Sequence, residues 1–145
     1  MLLRRGRVEA RDLADLFGWN MPFRREAFDT DLVDLMAAGG ILRAQGRLFI
    51  TGLRVASVGP LLFLHSAFPP RAVDSVFFGP DSYRFVRALE QVTPLAKRVV
   101  DVGCGSGVGG IALSRRGRST AAVVLTDINQ QALAFSAVNA ELSGV

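Results

Sequence analysis

The chain has one cysteine and one histidine in 145 residues, too few for most stapled, His-rich metal-bound and triad sites, and only one tryptophan and one tyrosine. A single cysteine, Cys104, excludes a disulfide framework and a cysteine-based zinc site. A single histidine, His65, argues against a His-rich metal centre and a Ser-His-Asp triad. No apolar run approaches the about 20 residues that span a bilayer. The start, Met1-Leu2-Leu3-Arg4-Arg5, sets its charges behind a two-leucine stub, unlike a secretory signal. The expectation is a cytoplasmic, reducing setting with no membrane partner. The length suits one ordinary domain, or a small domain plus part of another, and excludes a barrel enzyme.

Lysine is scarce too. Lys97 stands alone, and the other bases are arginines, within a net charge of +4. No acid occurs from Leu35 to Val73, a stretch that holds Arg43, Arg47, Arg54 and Arg71. A basic surface of this kind suits nucleic acid. Genome composition and a solvated face are the plainer readings.

Two regions differ in pattern. Ala10 to Phe17 reads as a short helix, with Leu13, Leu16 and Phe17 on one side. Thr30 to Ala38 reads as a second, with Thr30 as N-cap and Leu32, Val33, Leu35 and Met36 as its stripe, stopped by Gly39-Gly40. Ile41 to Ala44 and Arg47 to Thr51 read as a hairpin turning at Gln45-Gly46. Leu53 to Val58 and Leu61 to His65 are two more strands, split by Gly59-Pro60. We expect residues 1–66 to form a small α+β, winged-helix-like domain. Asp31 and Asp34 on its second helix repel phosphate, so it suits substrate orientation or packing better than sequence-specific DNA reading. Residues 67–97 read as a connecting segment, with Pro69-Pro70, and then a helix to about Gln91 with Phe85, Val86 and Leu89 on one face, closed by Thr93-Pro94.

Residues 98–145 carry the chemistry. Val99 to Val102 form a short strand, Gly103-Cys104-Gly105-Ser106-Gly107 a glycine-rich loop, and Val108 to Arg115 a helix. A second strand, Ala121 to Thr126, ends at Asp127. Asn129 caps a last helix, Gln130 to Leu142, with Leu133, Ala137, Val138 and Leu142 inward and Gly144 as its stop. This is a β-α-β-α unit of a parallel, doubly wound α/β sheet. Glycines let a ligand approach the backbone at a helix N-terminus. An acid at the tip of the next strand accepts hydrogen bonds from ribose hydroxyls. Together they point to an adenosine-type cofactor. Gly105, Gly107 and Gly110 also fit the dinucleotide fingerprint, which leaves an NAD-binding oxidoreductase domain as the alternative. Asp101 weighs against it, because a carboxylate two residues before the loop repels a pyrophosphate and suits a cationic sulfonium cofactor.

Asp101-Val102-Gly103-Cys104-Gly105-Ser106-Gly107 resembles motif I of class I S-adenosylmethionine-dependent methyltransferases, and Thr126-Asp127-Ile128-Asn129 their acidic second motif. The last helix, ending Val138-Asn139-Ala140-Glu141-Leu142, is similar to that of the small-domain superfamily, which includes ribosomal RNA and release-factor glutamine methyltransferases. Phe78-Gly79-Pro80-Asp81-Ser82-Tyr83 resembles the segment before motif I that helps cover the cofactor. The resemblance implies a Rossmann-like fold and S-adenosylmethionine as cofactor. Gly103, Cys104, Gly105 and Gly107 would line its methionine and ribose part. Asp127 would hold the ribose, Ile128 would lie on the adenine, and Asp101 would act near the methionine amino group. The acceptor it implies is a ribosomal RNA base or a protein glutamine.

The family's Asn/Asp-Pro-Pro-aromatic catalytic motif does not occur. Pro69-Pro70 is no substitute, with Ala67-Phe68 where the polar residue belongs and Arg71 where the aromatic belongs. The catalytic residues are therefore unassigned, and the expectation is an N-terminal part of a longer enzyme. A non-catalytic nucleic-acid-binding protein is the third reading. Cys104 needs only to be small, His65 reads as a core histidine, Tyr83 as helix packing, and Arg115, Arg116 and Arg118 as cations at a helix C-terminus.

Overall fold

The computed structural model describes residues 8–67, 72–92, 97–116 and 122–145. Met1–Arg5, Pro69-Pro70, Arg71, Thr93-Pro94, Arg118 and the first residue of the Ala121 strand lie outside the described residues. The chain forms two compact units, one ending at Arg54 and one beginning at Val55. This differs from a division after residue 66: the second hairpin belongs almost wholly to the second unit.

In the first unit Asp12 decides where helical structure begins. Its carboxylate accepts the backbone N–H of Asp15 at 2.7 Å, a local bond that competes with helix propagation from Ala10. The segment forms one wide π-type turn, Ala14–Gly18, rather than the expected helix from Ala10 to Phe17. Leu16 is buried but Leu13 is exposed. A 3₁₀ turn, Arg25–Ala27, leads to α1, Thr30–Ala38. The N-cap of α1 is Asp29, not Thr30: its carboxylate accepts from the N–H groups of Asp31 and Leu32 at 3.0 and 3.2 Å, a cap worth about 1 kcal/mol. Val33 and Met36 point inward, whereas Leu35 is 71% exposed and outside the expected stripe. Asp34 forms an ion pair with Arg25.

Strands β1 (Leu42–Gln45) and β2 (Leu48–Thr51) form the expected hairpin, paired from Leu42↔Thr51 to Gln45↔Leu48. Gly46, at φ +64°, supplies the left-handed residue of the two-residue turn. Phe23 bridges to Phe49 and stacks edge-on against Phe28, anchoring a core of Ala10, Leu16, Phe23, Val33 and Met36.

In the second unit β3 (Leu53–Val58) pairs with β4 (Leu61–Ser66), and α2 spans Pro80–Val92. Proline at the first helical position lacks only an N–H that would be unpaired anyway. Strand β5 (Arg98–Val102) runs parallel to β6 (Ala122–Thr126), in register from Arg98↔Ala122 to Val102↔Thr126. The crossover is α3, Val108–Arg116, and α4 (Gln130–Leu142) follows β6. The β-α-β-α order thus stands as expected. One sheet face, with Val99, Asp101, Val123 and Leu125, is half-buried, while Val100, Val102 and Val124 on the other are exposed. The core is Phe63, Phe78, Val86, Val108, Ile111 and Ala112. No helix among the described residues is long and apolar enough to cross a membrane.

Helix α4 presents a different face from the one its apolar residues suggest. Ala132, Phe135, Ser136 and Asn139 are buried, whereas Ala137, Val138 and Leu142 are exposed and Leu133 is half-buried. The buried face joins the apolar Ala132 and Phe135 to Asn139, which is hydrogen-bonded to the Ser106 carbonyl. Asn129 caps the start by accepting from the N–H of Gln131 at 2.9 Å. Gly144 at φ +67° closes the end, with its N–H on the Glu141 carbonyl and that of Val145 on the Ala140 carbonyl, a Schellman pair.

Gly110 sets how closely α3 lies on the sheet. A Cβ there would stand 2.5 Å from Leu125 Cδ2 and 2.8 Å from Val123 Cγ1. We expect Gly110→Ala to destabilise the chain by about 1–2 kcal/mol in urea unfolding, because overpacking of about 1–3 kcal/mol exceeds the about 0.5–1 kcal/mol that alanine adds in a helix.

Candidate cofactor site

Gly103 to Gly107 leave β5 and enter α3 by a turn that three positive φ angles make possible: +72° at Gly103, +54° at Gly105 and +79° at Gly107. The turn is tied to the neighbouring strand. The N–H groups of Gly103 and Cys104 both donate to the Thr126 carbonyl, at 2.8 and 2.9 Å, and Gly107 N–H closes on the Cys104 carbonyl at 2.8 Å. The glycines differ in what they permit. A Cβ at Gly107 would meet Ile111 Cδ1 at 2.9 Å and Ser136 Cβ at 3.0 Å, so its absence lets α3 and α4 close up. A Cβ at Gly103 would meet nothing within 4 Å, and one at Gly105 only Val76 at 3.9 Å. There the backbone itself is bare.

Asp127 stands at the end of β6 beside this loop. Its Oδ2 accepts from Gly105 N–H and its Oδ1 from Asn129 N–H, both at 2.9 Å. These bonds stabilise the ionised form, and the carboxyl is held below its ordinary value, the Asn129 N–H contributing most and Gly105 next. Ile128 beside it is fully exposed, a large apolar residue with no protein neighbour covering it. Gly103, Gly105, Asp127 and Ile128 therefore meet at the carboxyl ends of two adjacent parallel strands, where open α/β sheets bind their ligands.

The other motif residues face elsewhere. Asp101 lies on the sheet face beneath α3, and its Oδ2 accepts the Gly110 N–H at 2.8 Å. That N–H belongs to the first turn of α3, where no helical carbonyl is in reach. Cys104 is buried beside Ser136, and burial pushes its thiol up, which suits a small packing residue and not a nucleophile. His65 is 4% exposed and stacks on Phe78, with Tyr83 edge-on to the same ring. Arg115 and Arg116 lie in the last turn of α3. Among the described residues, no group of three His, Cys, Asp or Glu side chains is placed to hold a metal ion.

Two features of the site escape a reading of the motifs. The segment from Ala72 to Phe78 is fastened beside the loop: Ser66 exchanges hydrogen bonds with Val76 through its backbone N–H and its hydroxyl, at 3.0 and 2.9 Å. Asn129 Nδ2 donates to the Asp74 carbonyl at 2.8 Å. The second is Asn139, wholly buried and bonded to the Ser106 carbonyl at 2.9 Å. The spacing Ala132, Phe135, Ser136, Asn139 is a helical face that the sequence contains, but larger apolar side chains on the other face outweigh it.

Residues 80–145 match the family model of the methyltransferase small domain. The segment is thus similar to class I S-adenosylmethionine-dependent methyltransferases. A ribosomal protein L11 methyltransferase of Prochlorococcus marinus (strain MIT 9303) is 42% identical over 64 residues, which is 44% of this chain and 21% of that protein. The chain thus spans about a fifth of the length of this relative. Methyltransferases of this family take S-adenosylmethionine as methyl donor, and the nicotinamide alternative is not favoured.

The Asp127 bonds have a consequence for stability. Unfolded, this carboxyl protonates near its ordinary value of 3.8, and folded it does so lower. The group therefore stabilises the fold above the ordinary value and loses that contribution as pH falls through the lowered one. Urea midpoints taken from about pH 5 to about pH 2 should fall more steeply for the unsubstituted chain than for Asp127→Asn.

Proposed function

We propose that this chain carries the cofactor half of a methyl-transfer site, with Asp127 as its ribose-binding carboxylate. The observation that carries the reading is the meeting of that ionised carboxylate, the bare Gly103 and Gly105 backbone and the uncovered Ile128 at the ends of β5 and β6. These residues fit S-adenosylmethionine. Asp127 is partly solvent-exposed and, beyond its two backbone bonds, keeps lone pairs for the ribose hydroxyls. Ile128 offers the adenine an apolar face, and the glycine backbone at 103 and 105 allows close approach. Gly107 and Cys104 shape the loop from behind. Asp101 contributes negative charge toward the methionine ammonium, directly or through water, while its Oδ2 holds α3.

When bound, the cofactor supplies a methyl group made electrophilic by its sulfonium. The contribution of this chain is to hold the donor in one orientation, the kind of alignment on which in-line transfer depends. For the acceptor we favour a protein group, such as a glutamine amide, because the relative's name specifies a ribosomal protein as its substrate. A ribosomal RNA base is the second choice. The first unit, with Arg43 and Arg47 exposed on its hairpin, would serve as a winged-helix-like, substrate-orienting unit of a cytoplasmic enzyme. The ion pairing of Asp34 with Arg25 and the exposed Asp31 on α1 speak against DNA reading by that helix.

Calorimetric titration with S-adenosylhomocysteine, with NAD in parallel, tests the cofactor reading. We expect saturable binding of S-adenosylhomocysteine only, weakened about tenfold to a hundredfold in Asp127→Ala through loss of charge-assisted hydrogen bonds. Binding of NAD alone would sink the methyltransferase reading.

A further inference from the structure

Helix α4 buries a carboxamide against two elements far from it in sequence. Asn139 has no exposed surface. Its Oδ1 accepts the Leu64 N–H at 2.7 Å, and its Nδ2 donates to the Leu64 carbonyl at 3.0 Å and to the Ser106 carbonyl at 2.9 Å. Both amide donors are thereby used, and the oxygen is engaged. Toward β4, the side chain does what a neighbouring strand would do, taking both backbone groups of one residue. Toward the cofactor loop, it fixes the peptide between Ser106 and Gly107. Ser106 itself is 3% exposed, so its carbonyl has little access to water as a substitute partner.

The loop is thus clamped on both sides of Ser106. Asp127 holds the N–H of Gly105, and Asn139 holds the carbonyl of Ser106. These anchors stand just past the end of β6 and on α4, which are also joined through Asn129, the cap of α4. Remove the second anchor and the left-handed Gly105 and Gly107 are free to rotate the intervening peptide, since glycine resists no such change.

We propose that Asn139 is a positioning residue, which holds the glycine loop in its ligand-binding conformation and couples that conformation to the edge of β4 at Leu64. This rests on the cofactor reading above. Coupling of this kind is reciprocal: if the Leu64–Asn139–Ser106 contact favours ligand, ligand must favour the contact.

Titration of the full chain with S-adenosylhomocysteine, combined with amide hydrogen exchange, tests the proposal. Asn139→Asp keeps an acceptor for the Leu64 N–H, removes both donors and sets a carboxylate against two carbonyls. At a temperature where circular dichroism shows it folded, its affinity should be at least about tenfold weaker. Val86→Ala, a core truncation on α2, serves as the control for lost stability alone and should bind like the unsubstituted chain. In the unsubstituted chain, saturating ligand should slow exchange of the Leu64 amide about tenfold and leave the Phe49 amide of the β1–β2 hairpin unchanged. A folded Asn139→Asp that binds within about twofold of the unsubstituted chain overturns the proposal, as does a Leu64 amide indifferent to ligand. The exchange measurement decides the matter if Asn139→Asp does not fold. Failure of the unsubstituted chain to bind S-adenosylhomocysteine would instead remove the cofactor reading, and it shows before any substitution is made.

Discussion

Both oxygens of Asp127 are occupied by backbone N–H groups, and the architecture of the second unit hangs on that arrangement. One oxygen holds Gly105, inside the loop that follows β5; the other holds Asn129, which starts α4. A single carboxylate thereby joins the exit of one strand to the exit of its parallel neighbour. It also stays ionised, because hydrogen bonds to the charged form outweigh the small desolvation of a partly exposed group. A residue that orders the protein and still presents a charge to solvent is suited to receive a polar ligand without rearrangement.

Around that carboxylate, glycine acts in two distinct ways. At Gly107 and Gly110 its small size lets α3 settle on β5, β6 and α4, with contacts too close for any Cβ. At Gly103 it leaves open backbone beside the acid. Asp101 reinforces the first effect from below by taking an N–H of the first turn of α3, a group that would otherwise be buried without a partner. The crossover helix is therefore fixed by shape and by one charge-assisted hydrogen bond together. The opposite sheet face, with Val100, Val102 and Val124, takes no part in this packing.

The first unit is held by a different balance. Beside its apolar core, side-chain capping does much of the local work: Asp12 on the turn at Ala14–Gly18, Asp29 on α1, and Arg54 donating to the Gly18 carbonyl at the end of that turn. Short elements gain little from propensity, so such caps determine where each one starts.

Features whose cause is local were legible in the sequence. The β1–β2 hairpin with its turn at Gly46, the two strands flanking Gly59, the capping of α4 by Asn129 and its stop at Gly144 all follow from residues within a few positions of one another. So does the glycine loop with an acid at the next strand end. The cap of α1 lay one residue earlier than expected: Asp29 and Thr30 are both competent, and it is Asp29 that accepts the N–H groups of Asp31 and Leu32. Other features were decided by tertiary structure. Apolar content pointed α4 toward Leu133, Val138 and Leu142; the fold buries Ser136 and Asn139 instead. Asp101 looked free for a ligand; the fold gives one of its oxygens to Gly110. The deciding bond for α4 joins residues 75 positions apart, Asn139 and Leu64, and that for Asp101 spans nine positions, from β5 to α3. Hydrophobic periodicity records how much area a face can bury, whereas a buried hydrogen bond depends on which partner the rest of the fold brings within reach.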